Sequence, residues 1–335
     1  MLEGETDIPG PIIVGSIGRK DIPEKEPTAS SGITGSIGRE GKKRIIGSTK
    51  KSEPVTPLSS FEVLQPKPKK TTLVEIPGVE IRQASTKHHQ DGIAYNTDTQ
   101  TYVVCDGMGG VGSDTQTKDN FAFALAQAVS EQSDISAIAQ MDQAIAIIDR
   151  AKKFLAILGV DFQKDLKLNL DSRVISSLTR DKIVGSTIAA VQRIDGTNTW
   201  RVVTLGDSSV IVIAANGKIK EGYGEAWQLI SQGNTNSDGS APDSPLCSYI
   251  GINREGNLAI RYSSRGLTAE FSEFEALTGD KIVIVSDAYL QKSSPETLIN
   301  DMNKTAEQWA AGANKDKDGM YGDDASMIII DPSRV

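Results

Sequence analysis

Aspartates stand at the ends of predicted strands at five places in this chain, a pattern that points to metal or phosphate chemistry. They are Asp91 before GIAYN, Asp106 after TYVVC, Asp207 in the turn TLGDSS, Asp287 after KIVIVS, and the pair Asp323-Asp324 before ASMIII. If these strand ends meet on one rim of a sheet, the carboxylates repel one another strongly unless cations neutralise them. Oxygen ligands without a cluster of histidines and cysteines favour Mg²⁺ or Mn²⁺ over zinc.

The segment QTYVVCDGMGGVG, residues 100–112, contains the central acid of this set, Asp106. The run before Asp106 is typical of a buried strand, and the glycines after it permit a sharp turn with uncovered backbone groups. A β-turn closed by an Asx side chain explains the same residues without any ligand. Taken alone, this segment supports the two interpretations equally, and the recurrence of strand-then-acid segments downstream favours the functional one.

Composition restricts the class of protein. The chain has 335 residues, of which only 5% are aromatic, so the core must rest mainly on aliphatic side chains. Its two cysteines, Cys105 and Cys247, are too few for a disulfide framework, and neither lies in a catalytic thiol signature. No segment approaches the roughly 18 apolar residues of a membrane-spanning helix. We therefore expect a cytoplasmic protein without a membrane partner, unless it is exported by a route other than the Sec pathway.

Charge is distributed unevenly along the chain. Residues 1–70 contain 12 Lys and Arg against 9 Asp and Glu, whereas the other 265 residues contain 24 against 35. A basic segment joined to an acidic body argues against a body that binds nucleic acid. The distribution fits a body that collects cations.

Residues 1–70 are predicted to be a disordered, low-complexity tail. They contain 8 of the 13 prolines and one aromatic residue, Phe61, so they cannot bury enough apolar surface to offset the entropy lost on ordering. The pentapeptide GSIGR occurs at residues 15–19 and again at residues 35–39. Repeats this short do not make a solenoid; they are either docking segments for a partner or duplications within a spacer.

Residues 71–335 are predicted to form one folded domain. Strands are expected at 73–84 with an interruption at Pro77-Gly78, and at 92–95, 101–105, 185–193, 199–205, 210–215, 218–220, 258–263, 280–286 and 326–330. Helices are expected at 118–130, 138–158 and 295–311, and residues 222–257 are expected to form a long surface excursion. Because the order is not a regular βαβ alternation, it predicts an α+β fold with antiparallel sheets covered by helices.

Seven segments resemble, in order and approximate spacing, the motifs of the metal-dependent protein phosphatases, the type 2C family of serine/threonine phosphatases. They are HHQDGIAYN, VCDGMGG, VGSTIAAV, TLGDSSVIVI, YIGIN, IVIVSDAYL and YGDDASMIII. The short form VCDGMGG is similar to that of bacterial members. The resemblance implies two antiparallel β-sheets packed as a sandwich and flanked by pairs of helices, in four αββα layers.

The resemblance also implies an activity, the hydrolysis of phosphoserine and phosphothreonine in proteins by a metal-activated water. Two Mn²⁺ or Mg²⁺ ions are the implied cofactors, with a weaker third. Asp106 would bridge the two ions and, with Asp91, form the catalytic pair. The implied metal-binding residues are Asp91, Asp106, Gly107, Asp207, Asp287 and Asp323, with Asp207 at the weaker site.

Several residues depart from the family pattern. Gln90 stands where the family usually has a metal-binding glutamate, and Ala288 replaces a glycine. Thr86 occupies the position of the arginine that binds phosphate, which leaves Lys87 and Arg82 as the candidate phosphate-binding residues. These departures keep open a second function, that of a catalytically weak or inactive relative acting as a binding or regulatory module. A third interpretation is a structural acidic domain in which the strand-end aspartates are only caps.

The partners implied by this reasoning are a phosphoprotein substrate and a docking partner for the GSIGR repeats. We expect a monomer that binds neither nucleic acid nor membrane.

Overall fold

The computed structural model describes most of the chain after residue 75. The described residues are 76–84, 90–108, 116–161, 184–242, 248–252, 258–261, 269–290, 294–305, 308–309 and 324–335. The chain divides into two units, Met1–Val63 and Leu64–Val335, and every described residue lies in the second. The predicted tail, Thr86, Lys87 and Asp323 lie outside the described residues, so the predictions about them stay predictions.

The first five-stranded sheet is antiparallel and has the strand order β1-β14-β13-β8-β9. Its strands are β1 (Val79–Ala84), β8 (Ser209–Ile213), β9 (Ile219–Tyr223), β13 (Lys281–Val285) and β14 (Ala325–Ile330). The central strands are almost continuously apolar, as in KIVIV and ASMIII, and nearly all of their residues are buried. Such runs are typical of strands that are covered on both faces.

The second five-stranded sheet is also antiparallel and has the order β12-β7-β6-β3-β2. Its strands are β2 (Gly92–Asn96), β3 (Thr101–Cys105), β6 (Ile188–Arg193), β7 (Thr199–Leu205) and β12 (Glu270–Glu275). A four-stranded sheet with the order β11-β10-β5-β4 adjoins it. This sheet contains β4 (Gly107–Met108), β5 (Val184–Ser186), β10 (Tyr249–Ile252) and β11 (Leu258–Arg261). The chain passes between these two sheets at Asp106 and again at Thr187.

The structure gives bounds for five α-helices and one 3-10 helix, and residues 308–309 are also helical. They are α1 (Gln116–Ser130), the 3-10 helix Ile135–Ala139, α2 (Met141–Ile157), α3 (Glu225–Ser231), α4 (Asp287–Leu290) and α5 (Pro295–Met302). The start of α5 follows from its sequence, because the Ser294 side chain accepts a hydrogen bond from Thr297 N and Pro295 occupies the first turn. None of these helices is long and apolar enough to cross a membrane.

Three buried clusters of apolar side chains separate four layers. One cluster packs α1 and α2 against the second sheet, as Phe121 and Leu125 do with Val103. Another lies between the two five-stranded sheets, where Trp200 is fully buried. The third packs the first sheet against α3, α4 and α5. The predicted α+β sandwich with helices on both outer faces is therefore confirmed.

Two helix predictions need correction at their ends. The predicted helix 138–158 is a 3-10 helix followed by α2, because the Asp134 side chain caps Ser136 N and starts a separate turn. Gln140 has an extended backbone between the two helices. Ile145 lies within this predicted helix at the spacing of its apolar residues but is 44% exposed. The predicted helix 295–311 is interrupted, since α5 ends at Met302, residues 303–305 are not helical and residues 308–309 are helical again.

The sequence prediction misses α3, β10 and β12. The expected excursion at residues 222–257 contains α3 and β10, and residues 270–275 form β12. The alternation of β12 is hard to read in EFSEFE because Glu270 and Ser272 share with Phe274 the side that is less exposed. Polar residues at the inward positions of a strand weaken the hydrophobic period from which a strand is predicted.

Candidate metal centre

The β2-β3 hairpin brings two of the predicted acids to one end of the second sheet. Asp91 immediately precedes β2 and Asp106 immediately follows β3. These strands are antiparallel, with Gly92 opposite Cys105, so the residues just outside the pair lie at the same open end. The arrangement follows directly from the hairpin register.

The first sheet brings further acids to the same rim. Asp287 begins α4 just after β13, and Asp324 immediately precedes β14. Two hydrogen bonds hold the strand ends together. Ser286 N donates to Ser326 O at 3.1 Å, and Ser326 N donates to Ser286 Oγ at 3.0 Å. Asp207 lies in the turn between β7 and β8, where the chain crosses from the second sheet to the first.

The carboxyl groups of this rim act on one another electrostatically. Burial raises the pKa of Asp106 well above the usual range, and the neighbouring charges of Asp287, Asp91 and Asp207 raise it further. A hydrogen bond between the Asp106 and Asp287 carboxyls also raises the pKa of Asp106, because it is made by the protonated form. Without a cation, the fold therefore favours protons on this group.

Asp91 is buried among other acids of the rim. It is only 6% exposed, and burial and the charge of Asp324 raise its pKa. The hydroxyls of Ser326 and Ser286 lie near and lower the pKa, but among the described residues neither carboxylate oxygen has a hydrogen bond of normal geometry. A buried carboxylate in this state is costly unless it is protonated or binds a cation.

The backbone of Gln90 packs directly over Gly107. A Cβ atom at Gly107 would lie 2.3 Å from Gln90 O, so a larger residue could not stand there without movement of the backbone. Gln90 N donates a hydrogen bond to the Asp324 carboxylate. The residue before Asp91 is thereby held between the start of β4 and the start of β14.

The donor atoms of the rim are of the kind that bind hard divalent cations. Its donors are carboxylate oxygens with a net negative charge, which Mg²⁺ and Mn²⁺ prefer. Across the described segments, no three acidic, histidine or cysteine side chains already form a tight coordination cluster. The carboxyls are instead close enough to repel one another, and a cation would have to draw them together.

The structure brings together four of the predicted metal-binding side chains, those of Asp91, Asp106, Asp207 and Asp287. It also assigns a place at the rim to Asp324, which is 2% exposed and acts on Asp91. The sequence reasoning singled out the Asp323-Asp324 pair but gave the metal-binding role to Asp323, which lies outside the described residues. The signal for Asp324 was its position immediately before a buried strand.

Arg82, a predicted phosphate-binding residue, has a different environment. Its side chain is 1% exposed and its guanidinium donates to Asp301 O at 2.7 Å, Met302 O at 3.2 Å and Lys304 O at 2.9 Å. Its Nε donates to Glu80 at 2.7 Å. The guanidinium thus satisfies carbonyls at the end of α5, and this geometry argues against the phosphate-binding role.

Cys105 lies beneath the rim as a buried free cysteine. Burial raises the pKa of its thiol, and the nearby Asp91 raises it further. A thiol in this environment stays protonated and is a poor nucleophile. The expectation of a small buried side chain without thiol chemistry fits this environment.

Comparison with known proteins gives likenesses among solved structures only. No family model matches the chain, and no curated protein matches its sequence. PppA, a key regulatory component of T6SS in Pseudomonas aeruginosa, is 12% identical with a TM-score of 0.46, over 77% of this chain and 99% of that one. The catalytic domain of the serine/threonine protein phosphatase PstP, in complex with two manganese ions, is 14% identical with a TM-score of 0.46, over 76% and 96%.

A third similar structure is the serine/threonine phosphatase Stp1 from Staphylococcus aureus, 13% identical with a TM-score of 0.45, over 79% of this chain and 98% of that one. PstP and Stp1 are serine/threonine phosphatases. At these identities and TM-scores, the fold assignment rests on the sheets and helices described above.

Proposed function

We propose that the domain hydrolyses phosphoserine and phosphothreonine in proteins with the help of Mn²⁺ or Mg²⁺. The observation that carries this proposal is the convergence of carboxyl groups from both sheets on one rim, where Asp91 is buried with no hydrogen-bonded partner of normal geometry among the described residues. A fold that needed these acids only as caps would satisfy them internally.

The position of each acid at the rim determines the role that we assign to it. Asp106 lies where the second five-stranded sheet meets the four-stranded sheet, and it would hold cations from the centre of the rim together with Asp91 and Asp287. Asp207 approaches from the turn between β7 and β8 and would support a weaker site. When bound, the divalent ions would supply the Lewis acid that activates water and neutralises the phosphate.

Substrate specificity for phosphoproteins rests on the motif resemblance. The described residues contain no cysteine suited to a covalent phosphoenzyme, since Cys105 is buried and held as a thiol. Direct attack by water is the reaction that the acidic rim supports best. Lys87 is the remaining candidate for binding the phosphate group.

The test is phosphate release from a phosphothreonine peptide by the full chain with Mn²⁺, beside the variant Asp106→Asn. We expect release from the wild type to fall by about 100-fold or more in the variant, since the central carboxylate loses its charge. Asp331→Asn is a matched control, because Asp331 is paired with Lys281 at 2.6 Å rather than with other acids. Equal release from wild type and Asp106→Asn would overturn the proposal.

The same assay, combined with a metal titration, distinguishes the enzyme from a catalytically inactive binding or regulatory module. A wild-type protein that binds Mn²⁺ in a calorimetric titration but releases no phosphate would be a binding or regulatory module. That result would refute the enzymatic proposal and leave the metal site intact.

A further inference from the structure

The hydroxyl of Thr187 occupies the point where the Asp106 segment, the small sheet and the crossing turn between the two five-stranded sheets meet. Thr187 lies between β5 and β6, opposite Asp106, which lies between β3 and β4. Its side chain is 2% exposed. The chain therefore changes sheet at both residues, side by side.

Thr187 satisfies both backbone polar groups of Asp106. Thr187 N donates to Asp106 O at 2.9 Å, as in an ordinary antiparallel pair. The return bond is different, because Asp106 N donates to the Thr187 hydroxyl at 3.1 Å rather than to the Thr187 carbonyl. The Ser186 hydroxyl lies 2.8 Å from Asp106 O and 2.9 Å from Thr187 O, and its one proton is shared between these two carbonyls. A side chain has thus replaced one backbone partner at this position of the ladder.

The same hydroxyl reaches the crossing turn. Thr187 Oγ1 and Ser208 Oγ are 2.7 Å apart, and Ser208 is fully buried. Ser208 follows Asp207 in the turn that joins β7 of the second sheet to β8 of the first. Two hydroxyls therefore connect the backbone of Asp106 with the residue next to Asp207.

Packing fixes the direction of the Thr187 side chain. Gly206 has a φ of +92°, and a Cβ atom there would lie 2.7 Å from Thr187 Cγ2 and 2.8 Å from Ser248 O. The methyl group of Thr187 fills this space. The hydroxyl points toward Asp106 N and Ser208, and exchanging it with the methyl group would break both hydrogen bonds.

We propose that Thr187 and Ser208 form a hydroxyl clamp that positions Asp106 relative to Asp207 and thereby sets the separation of the cation-binding carboxylates. The clamp rests on the proposed function, because it assigns positioning residues to the same rim. Neither hydroxyl is assigned to the cation or the substrate. Each acts through the backbone segment that carries an acid.

The test compares Thr187→Val with Thr187→Ser in the full chain. Valine keeps the shape of threonine and removes the hydroxyl, whereas serine keeps the hydroxyl. We expect valine to weaken Mn²⁺ binding, measured by calorimetric titration, by about tenfold, on the scale of a lost buried hydrogen bond. Serine should restore most of the affinity. The Mn²⁺ titration itself needs no turnover.

Thr101→Val is the matched control for a purely structural effect. Thr101 is also a fully buried threonine with hydroxyl hydrogen bonds, to Thr99 and Gln192, but it begins β3 at the end of the strand away from Asp106. We expect Thr101→Val to lower the melting temperature while leaving Mn²⁺ affinity within about twofold of the wild type.

The outcomes separate the clamp from the enzyme. The clamp would be overturned if Thr187→Val bound Mn²⁺ as tightly as the wild type, or if Thr101→Val lost as much Mn²⁺ affinity as Thr187→Val. Either result would count against the clamp even if phosphate release were normal. Absence of phosphate release from a wild type that binds Mn²⁺, together with weak binding by Thr187→Val, would overturn the enzymatic proposal and support the clamp.

Discussion

Two buried aspartates of similar exposure, Asp91 at 6% and Asp301 at 8%, have opposite surroundings. Asp301 accepts a hydrogen bond from the Tyr289 hydroxyl and forms an ion pair with Lys304, and its own carbonyl accepts a bond from Arg82. Asp91 faces Asp324 and Asp287 instead. One acid is neutralised within the fold, whereas the other lies among like charges.

The difference separates acids that hold the fold together from acids to which we assign cation binding. We call the group of Arg82, Asp301 and Lys304 the paired cluster, and the group of strand-end aspartates the acidic rim. A buried charge with internal partners holds elements together, and in the paired cluster it joins β1 to the end of α5. A buried charge among like charges costs stability, and the fold keeps it only if something outside the chain compensates.

The largest expected effect comes from Arg82→Met, which removes the guanidinium group from the paired cluster. Methionine keeps an apolar stem but leaves three carbonyls without their donor, so we expect the free energy of unfolding to fall by about 3 kcal/mol. Urea unfolding measures this loss. Arg201→Met, which removes two partly exposed ion pairs with Asp134 and Glu273, should cost less than about 1 kcal/mol.

Mn²⁺ affinity of folded Arg82→Met should equal that of the wild type. A rise in KM for a phosphopeptide with unchanged stability would contradict this interpretation and restore Arg82 as a phosphate-binding residue.

The converse change at the acidic rim is Asp91→Asn. Without metal, we expect the variant to be more stable than the wild type by about 1 kcal/mol or more, because a buried repulsive charge is removed. Adding Mn²⁺ should raise the melting temperature of the wild type and change that of the variant little. Thermal unfolding in chelator and in Mn²⁺ gives both values.

Asp331→Asn provides the control of opposite sign. Although burial raises the pKa of Asp331, the hydrogen bonds from Lys281 and Ser333 lower it by more, so its ionised form stabilises the fold. The asparagine variant should be less stable than the wild type in chelator. A loss of stability in Asp91→Asn as well would show that the two kinds of carboxylate do not differ.

The smallest expected effect is a pH dependence in the metal-free protein. Because the pKa values of Asp91 and Asp106 are raised in the folded state, the stability they contribute is fully present below the unfolded value of about 4 and is lost as pH rises through the raised values. As pH rises, the melting temperature of the wild type should therefore decrease relative to that of the double variant Asp91→Asn/Asp106→Asn.

Melting temperatures in chelator between pH 4 and pH 8, taken as the difference between wild type and double variant, measure this effect. Saturating Mn²⁺ should reverse the pH dependence of the wild type, since cation binding favours the ionised carboxylates. A difference that does not change with pH would mean that the carboxyls of the acidic rim do not repel one another.

Much of the fold could be predicted because its strands are strongly apolar and its turns contain clear signals. The strand Thr199–Leu205 was predicted with its observed bounds, and Pro77-Gly78 was recognised as an interruption before β1. The misses have physical causes. Glu270 and Ser272 conceal the period of β12, and the capping side chain of Asp134 divides a helix that the spacing of apolar residues made continuous.

The acids of the site could be located because each stands beside a buried strand. The sequence by itself determined which residues are available for cation binding, since residue type and strand-end position follow from local pattern. Only the tertiary structure decided their surroundings. Arg82 and Asp91 are both buried ionisable residues, and strand pairing across more than 200 positions gives one of them carbonyl partners and the other like charges.

The centre of the site illustrates the same division. The segment CDGMGG predicted a turn directly after Asp106, whereas Gly107 and Met108 form β4 and residues 109–112 lie outside the described residues. The hydroxyl of Thr187, which is 81 residues from Asp106 along the chain, accepts a hydrogen bond from Asp106 N, and Ser208 contacts the same hydroxyl from the turn between β7 and β8. Such contacts depend on how the sheets pack, because hydrogen bonds between distant segments form only when the whole domain has folded.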